Sequence, residues 1–189
     1  LHNNEVKIKA PELQGSYHYR VIDIKWSTLR LCANGVNILN SGLIPPYKGQ
    51  LAIYNAALGI IQGYTPPHAY VMGKGWAYQK SKVIHTGSCS FDLLGVIDYE
   101  DWDYKYLKLT ADAIKWVREV RYHGHNWTYN PPTRIELCPN MCNHYDFPYH
   151  SIKRKISNEI DELTEIWMVG PKNRILAHKE GVFKWTDPL

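Results

Sequence analysis

The sequence has no run of apolar residues approaching the ~18 needed to cross a bilayer, so no membrane-spanning helix is expected. Its first residues, Leu1-His-Asn-Asn-Glu, lack the basic-then-apolar layout of a signal segment. Cysteine is scarce. Cys32, Cys89, Cys138 and Cys142 are too few to staple 189 residues, and reduced thiols in a cytosolic compartment are the expectation. Catalytic and cofactor motifs are missing as well. Gly73-Lys74-Gly75 is too short for a phosphate-cradling loop, and there is no H-E-x-x-H, G-x-S-x-G or EF-hand pattern, so no cofactor is expected. Internal repeats and low-complexity segments are absent. The Asn126-Trp-Thr128 acceptor pattern matters only in a secreted chain.

Aromatic residues with polar tips are plentiful: 14 Tyr and 7 Trp against 3 Phe. Such side chains combine a large apolar body with a hydrogen-bonding end, which suits β-structure and interaction surfaces. With 44% hydrophobic and 21% charged residues the chain belongs among folded proteins, and collagen-like, coiled-coil and disordered classes are excluded. Lys and Arg number 22 against 18 acidic residues, a formal charge of +4.

The hydrophobic pattern predicts α+β architecture: an antiparallel sheet with two main helices packed on it, in one globular domain over residues 17–189 behind a flexible segment over 1–16. Within residues 17–31, Ile22, Ile24 and Trp26 alternate with Val21, Asp23 and Lys25, the period of a strand. Leu51, Tyr54, Leu58 and Ile61 define a helix over 48–62 that is apolar nearly all round and expected to be buried on more than one side. Gly63 closes that helix. Residues 73–86 read as a hairpin arm with a basic face, and 91–99 as extended. Residues 113–122 fit either period, with Ala113, Val117 and Val120 three or four apart as on a helix, but β-branched and aromatic residues favour a strand; 134–137 reads as a further short strand. Ile152, Ile156, Ile160, Leu163 and Trp167 predict a long late helix, and residues 174–185, split by Lys179-Glu-Gly181, a terminal hairpin.

Three clusters invite chemistry. Cys138, Cys142 and His144, with His123 upstream, could supply zinc donors, but the spacing is that of no known knuckle and no second cysteine pair exists; packed thiols and loop histidines are favoured. Cys89, close to His85 in a Gly/Ser turn, could be a nucleophile, yet lacks the elbow or helix start that activates one, so a plain turn is favoured. A small cysteine/histidine hydrolase or toxin domain, and a zinc-stabilised nucleic-acid binder, are therefore kept as alternatives. The cations are grouped: Lys7 and Lys9; Lys74, Lys80 and Lys82; Lys153, Arg154 and Lys155; Lys172 and Arg174. Three consecutive cations at the start of a helix oppose its dipole, which leaves two readings open, phosphate or anionic lipid as their partners or an ordinary solvated surface.

The order of these features resembles the rhabdovirus matrix proteins. The stretch from Tyr47 to Gly63 followed by Tyr64-Thr-Pro-Pro67 is similar to that family's apolar helix and exposed turn; Gly75-Trp-Ala-Tyr-Gln-Lys-Ser-Lys-Val83 to its aromatic and basic strand; Ser151 to Trp185 to its C-terminal helix and hairpin. The late-domain pattern P-P-x-Y is absent, since Pro45-Pro46-Tyr47 and Pro66-Pro67-His-Ala-Tyr70 miss its spacing, and the segment before the apolar helix is short, as in a divergent, plant-infecting lineage. The resemblance implies a non-enzymatic structural protein of the virion and host cytoplasm, lying between nucleocapsid and envelope. Its partners would be its own copies, nucleoprotein–RNA, anionic lipid and the tail of an envelope glycoprotein. The cation groups would meet membrane and nucleocapsid. Tyr64, Pro66, Pro67 and Tyr70 would insert into an adjoining copy or the bilayer interface, and Asp98, Glu100, Asp101 and Asp103 would face a neighbour's lysines.

Overall fold

The computed structural model describes residues 8–88 and 92–188, which leaves two residues singled out above, Lys7 and Cys89, outside the described residues. The chain divides into two compact units, residues 1–117 and 118–189.

The first unit is built on β1 (Ile22–Arg30), α1 (Ile44–Gln62), β2 (His68–Lys80), β3 (Val83–Gly87) and β4 (Gly95–Asp98), with α2 (Lys105–His123) running across the boundary. β2 is the spine of the sheet. β1 lies parallel along one edge of it, and the antiparallel strands β4 and β3 pair with its two ends. Since Tyr70 and Val71 pair with β1 and β4 at once, and Trp76 and Ala77 with β1 and β3, β3 and β4 occupy the edge opposite β1. The sheet is thus mixed rather than antiparallel, and the described residues hold four α-helices rather than two. The reason is α1. Its 19 residues carry the chain back to the starting end of β1, the crossover that a parallel pair requires.

Pro45 and Pro46 sit in the first turn of α1, where no intrahelical N–H is needed, and Gly63 ends it in the left-handed region at φ 69°. The helix turns an unexpected face inward. Lys48, Leu51, Ala52, Asn55, Gly59 and Gln62 are buried, while Ile53, Tyr54, Ile60 and Ile61 point to solvent, so the expectation of a helix covered on several sides fails. Leu29, Leu31, Ile38, Leu51, Val71, Ile97, Tyr99 and Tyr106 form the core beneath it. Residues 113–122, expected as a strand, belong to α2; Tyr106, Thr110 and Ile114 recur every fourth residue on its less exposed side, and this longer period overrides β-propensity.

The second unit contains α3 (His150–Glu159) and α4 (Pro171–Lys179), joined by loops and short 3₁₀ turns. The strand expected at 134–137 is one such turn, Ile135–Leu137. The late helix is shorter than its pattern. It stops at Glu159, Asp161 adopts a φ of 53°, and Leu163–Glu165 is a separate 3₁₀ turn, an arrangement that brings Glu162 inward. The terminal hairpin is instead α4. Pro171 starts it, and Lys179-Glu-Gly181, expected as a hairpin turn, is its C-terminal exit, with Gly181 at φ 84°.

Candidate interaction surfaces

Alternation along β1 sends Ile22, Ile24 and Trp26 to one face and Asp23, Lys25 and Ser27 to the other. It is the apolar face that is open. Ile24 is 69% exposed and Trp26 86%, and Lys74 of β2 holds its ammonium 5.9 Å from the Trp26 ring centroid. On α1, Ile60 and Ile61 are 83% and 71% exposed. Both elements therefore turn several polar side chains inward, beside Leu29 and Leu51 of the core, and leave large apolar ones outside.

The polar interior of the first unit is an ion pair. Lys48 Nζ donates to Asp103 Oδ1 at 2.6 Å and to the Ile38 carbonyl at 2.9 Å, with both charged side chains fully buried. Tyr99 Oη donates to the Lys48 carbonyl, and Asp103 Oδ2 accepts from the Asp98 N–H. Burial lowers the Lys48 pKa, and Asp103 opposes that shift. Cys32 nearby is pushed up, first by burial and also by Asp103, with Lys48 pulling the other way.

The second unit is organised by Arg174. Its guanidinium donates to the Cys138 and Pro139 carbonyls and to Glu162 Oε1, the last two at 2.9 Å. Beside this pair lies a cavity of about 340 Å³ lined by Pro131, Arg134, Ile135, Cys138, His178, Phe183 and Lys184, among others. His178 Nε2 is buried there without a hydrogen-bond partner among the described residues, and its pKa is lowered by burial and then by Arg174. Burial also raises the Cys138 thiol, with Glu162 adding to the shift, which keeps the thiol protonated and makes a poor nucleophile of it.

Several residues expected on interaction surfaces are used internally. Asp103 is the buried partner of Lys48, whereas Glu100 and Asp101 stay exposed and Asp98 accepts their backbone N–H groups. The turn after α1 packs inward rather than projecting. Pro66 is fully buried and its carbonyl accepts from Asn55; Tyr70 is 4% exposed and its hydroxyl accepts from Arg20; Tyr64 packs edge-on against His18, and Pro67 is half-buried. Among the cations, Arg174 is buried, and Lys153 pairs with Asp146 while donating to the Asn140 and Asn143 carbonyls. These partners come from loop 138–149, so Lys153 does serve the local structure. Lys9, Lys74, Lys80, Lys82, Arg154, Lys155 and Lys172 are exposed.

No protein-family model, curated protein or solved structure matches this chain. The suggested zinc donors do not converge: among the described residues no group of three His, Cys, Asp or Glu is placed to hold a metal. Cys138 is buried, Cys142 is exposed with its thiol on the Val169 carbonyl, His144 neighbours His150, and His123 ends α2. Sequence reasoning misses Ile60, Ile61 and the His178 cavity. The first two are hidden in the pattern by apolar residues on every side of α1, and the cavity is assembled from segments far apart in sequence.

Proposed function

We propose that the protein is a self-associating structural scaffold of the rhabdovirus matrix type, condensing a helical ribonucleocapsid and bridging it to the inner face of an envelope membrane during assembly and budding. The observation that carries this reading is the outward placement of Ile24, Trp26, Ile60 and Ile61 by elements that turn Asp23, Lys25, Lys48, Asn55 and Gln62 inward beside the core residues Leu29 and Leu51. Exposed apolar area of this kind marks contact with another protein or a membrane. No helix among the described residues is long and apolar enough to cross a bilayer, so membrane contact through helices would be at the surface. The Trp26–Lys74 pair combines an interfacial aromatic with a cation, and Lys80 and Lys82 extend the positive charge along the β2–β3 hairpin. Own copies, nucleoprotein–RNA, anionic lipid and a glycoprotein tail are the proposed partners, in the virion and at host membranes.

Two measurements on the purified chain test the reading together. Sedimentation equilibrium should show mass rising with concentration, and flotation should show binding to phosphatidylserine vesicles that falls with salt. A chain that stays monomeric and ignores acidic vesicles at low salt contradicts it.

A further inference from the structure

We infer that two copies of this chain join through the open edge of β1, antiparallel about a two-fold axis at Ile24, so that the sheet runs continuously from one copy into the other. This deepens the self-association proposed above and rests on it. The backbone sets the geometry. The Tyr70 N–H donates to the Val21 carbonyl, so in the parallel ladder Val21, Asp23 and Lys25 direct their backbone groups toward β2, while Ile22 and Ile24 direct theirs away from it. Among the described residues no backbone bond engages the outer edge at Ile22 and Ile24; farther along, the Arg30 carbonyl accepts from Leu39, which closes the edge at that end. The register shift between Lys25 and Thr28 limits the straight edge to its first residues.

An open edge is usually guarded by a charge, Lys above all. Here the guard is self-complementary. With Ile24 opposite Ile24 of the second copy, Asp23 meets that copy's Lys25, Lys25 meets its Asp23, and Ile22 meets its Trp26. Ile24 then forms a hydrogen-bonded pair with its copy, and the two Asp23–Lys25 pairs fall at the close non-hydrogen-bonded positions, where side chains interact most strongly. Moving the centre by one residue either way sets Asp23 against Asp23 or Lys25 against Lys25, so charge selects the register. Asp23 and Lys25 already pair within the chain at 2.7 Å, and the second copy completes a ring of four alternating charges. Because the axis is normal to the sheet, Ile22, Ile24 and Trp26 from both copies make one apolar stripe on a single face.

Charge-swap mixing tests this register. Asp23→Lys alone and Lys25→Asp alone each set like charges across the junction and should weaken self-association about tenfold. An equimolar mixture of the two variants should associate like the native chain, because every cross-junction pair is again opposite. Loss of the in-chain pair cannot explain such rescue, since mixing does not restore it. A spin-labelled amino acid at Ile24, with Asp23 and Lys25 native, gives an independent reading should either variant misfold: self-association should bring strong dipolar broadening, since the paired Cα atoms lie about 5.5 Å apart. Association of the native chain without broadening, variants that associate as the native chain does, or folded variants whose mixture shows no rescue would overturn the register and leave the scaffold reading standing, with another face as the contact. A native chain that does not associate overturns both.

Discussion

At the scale of single residues, each unit is held from within by one buried cation. Lys48 pairs with Asp103 in the first, and Arg174 with Glu162 in the second; all four side chains are buried, and each cation also caps backbone carbonyls. Removing one member of a buried pair strands the other, at a cost of about 3–5 kcal/mol, whereas replacing both with apolar groups is far less damaging. Lys48→Met should therefore lower the urea-unfolding free energy by about that amount, and Lys48→Met/Asp103→Leu should recover part of it. A double variant less stable than the single would show that a stranded Asp103 charge is not what destabilises Lys48→Met. His178 offers a second handle. Burial and Arg174 hold its pKa below the usual 6.5, so the unfolded chain takes up a proton more readily. That contribution is complete above about pH 6.5 and is lost as pH falls below it. The urea midpoint should drop between about pH 7.5 and about pH 5.5, and His178→Phe should flatten the drop. An unchanged pH profile in the variant would contradict the assignment.

At the scale of elements, the β2–β3 hairpin turns on Ser81 and Lys82, both with positive φ, 50° and 67°. Two-residue turns of this kind favour Asn-Gly, and an L-residue there is strained by about 1–2 kcal/mol. Lys82→Gly should raise stability by about 1 kcal/mol while removing a tip cation, which lowers partition onto acidic vesicles roughly fivefold. Thermal unfolding and flotation on the same variant check both arms; lower stability, or unchanged vesicle binding, would count against the account. The extended character of residues 73–86 is legible from their residue types, but the turn is not, because Ser81-Lys82 carries no turn signature; α1 is legible, with Pro45 and Pro46 in its first turn and Gly63 after it. Which face of each element lies inside is not legible. Alternation in β1 shows that Ile22, Ile24 and Trp26 share a face, but not that the sheet turns that face outward. In α1, Lys48 and Gln62 face inward because Asp103 and Tyr19 arrive from distant segments to receive their hydrogen bonds, and Asn55 because the turn just after the helix brings the Pro66 carbonyl back to it. The C-terminal helix escapes a sequence reading for a local reason, since Lys179-Glu-Gly181 serves equally as a hairpin turn or a helix exit. Lys153 and Arg174 look like surface charges because carbonyls brought in by folding leave no trace in a charge pattern.

At the scale of the whole molecule, a formal charge of +4 is modest, and part of the cationic complement is spent on internal pairs. A single copy offers an anionic surface lysines dispersed over several elements, each contributing about 1 kcal/mol when it lies near that surface. Many copies held together multiply that attraction without any new contact, so membrane and nucleocapsid binding on this account depend on self-association first. The apolar side chains turned outward on β1 and α1 are what would hold the copies together. Sedimentation equilibrium of the native chain across a wide concentration range is the most direct measurement. The account predicts an average mass that climbs from 21.9 kDa through the dimer and beyond. A mass fixed at 21.9 kDa up to the highest soluble concentration would contradict it.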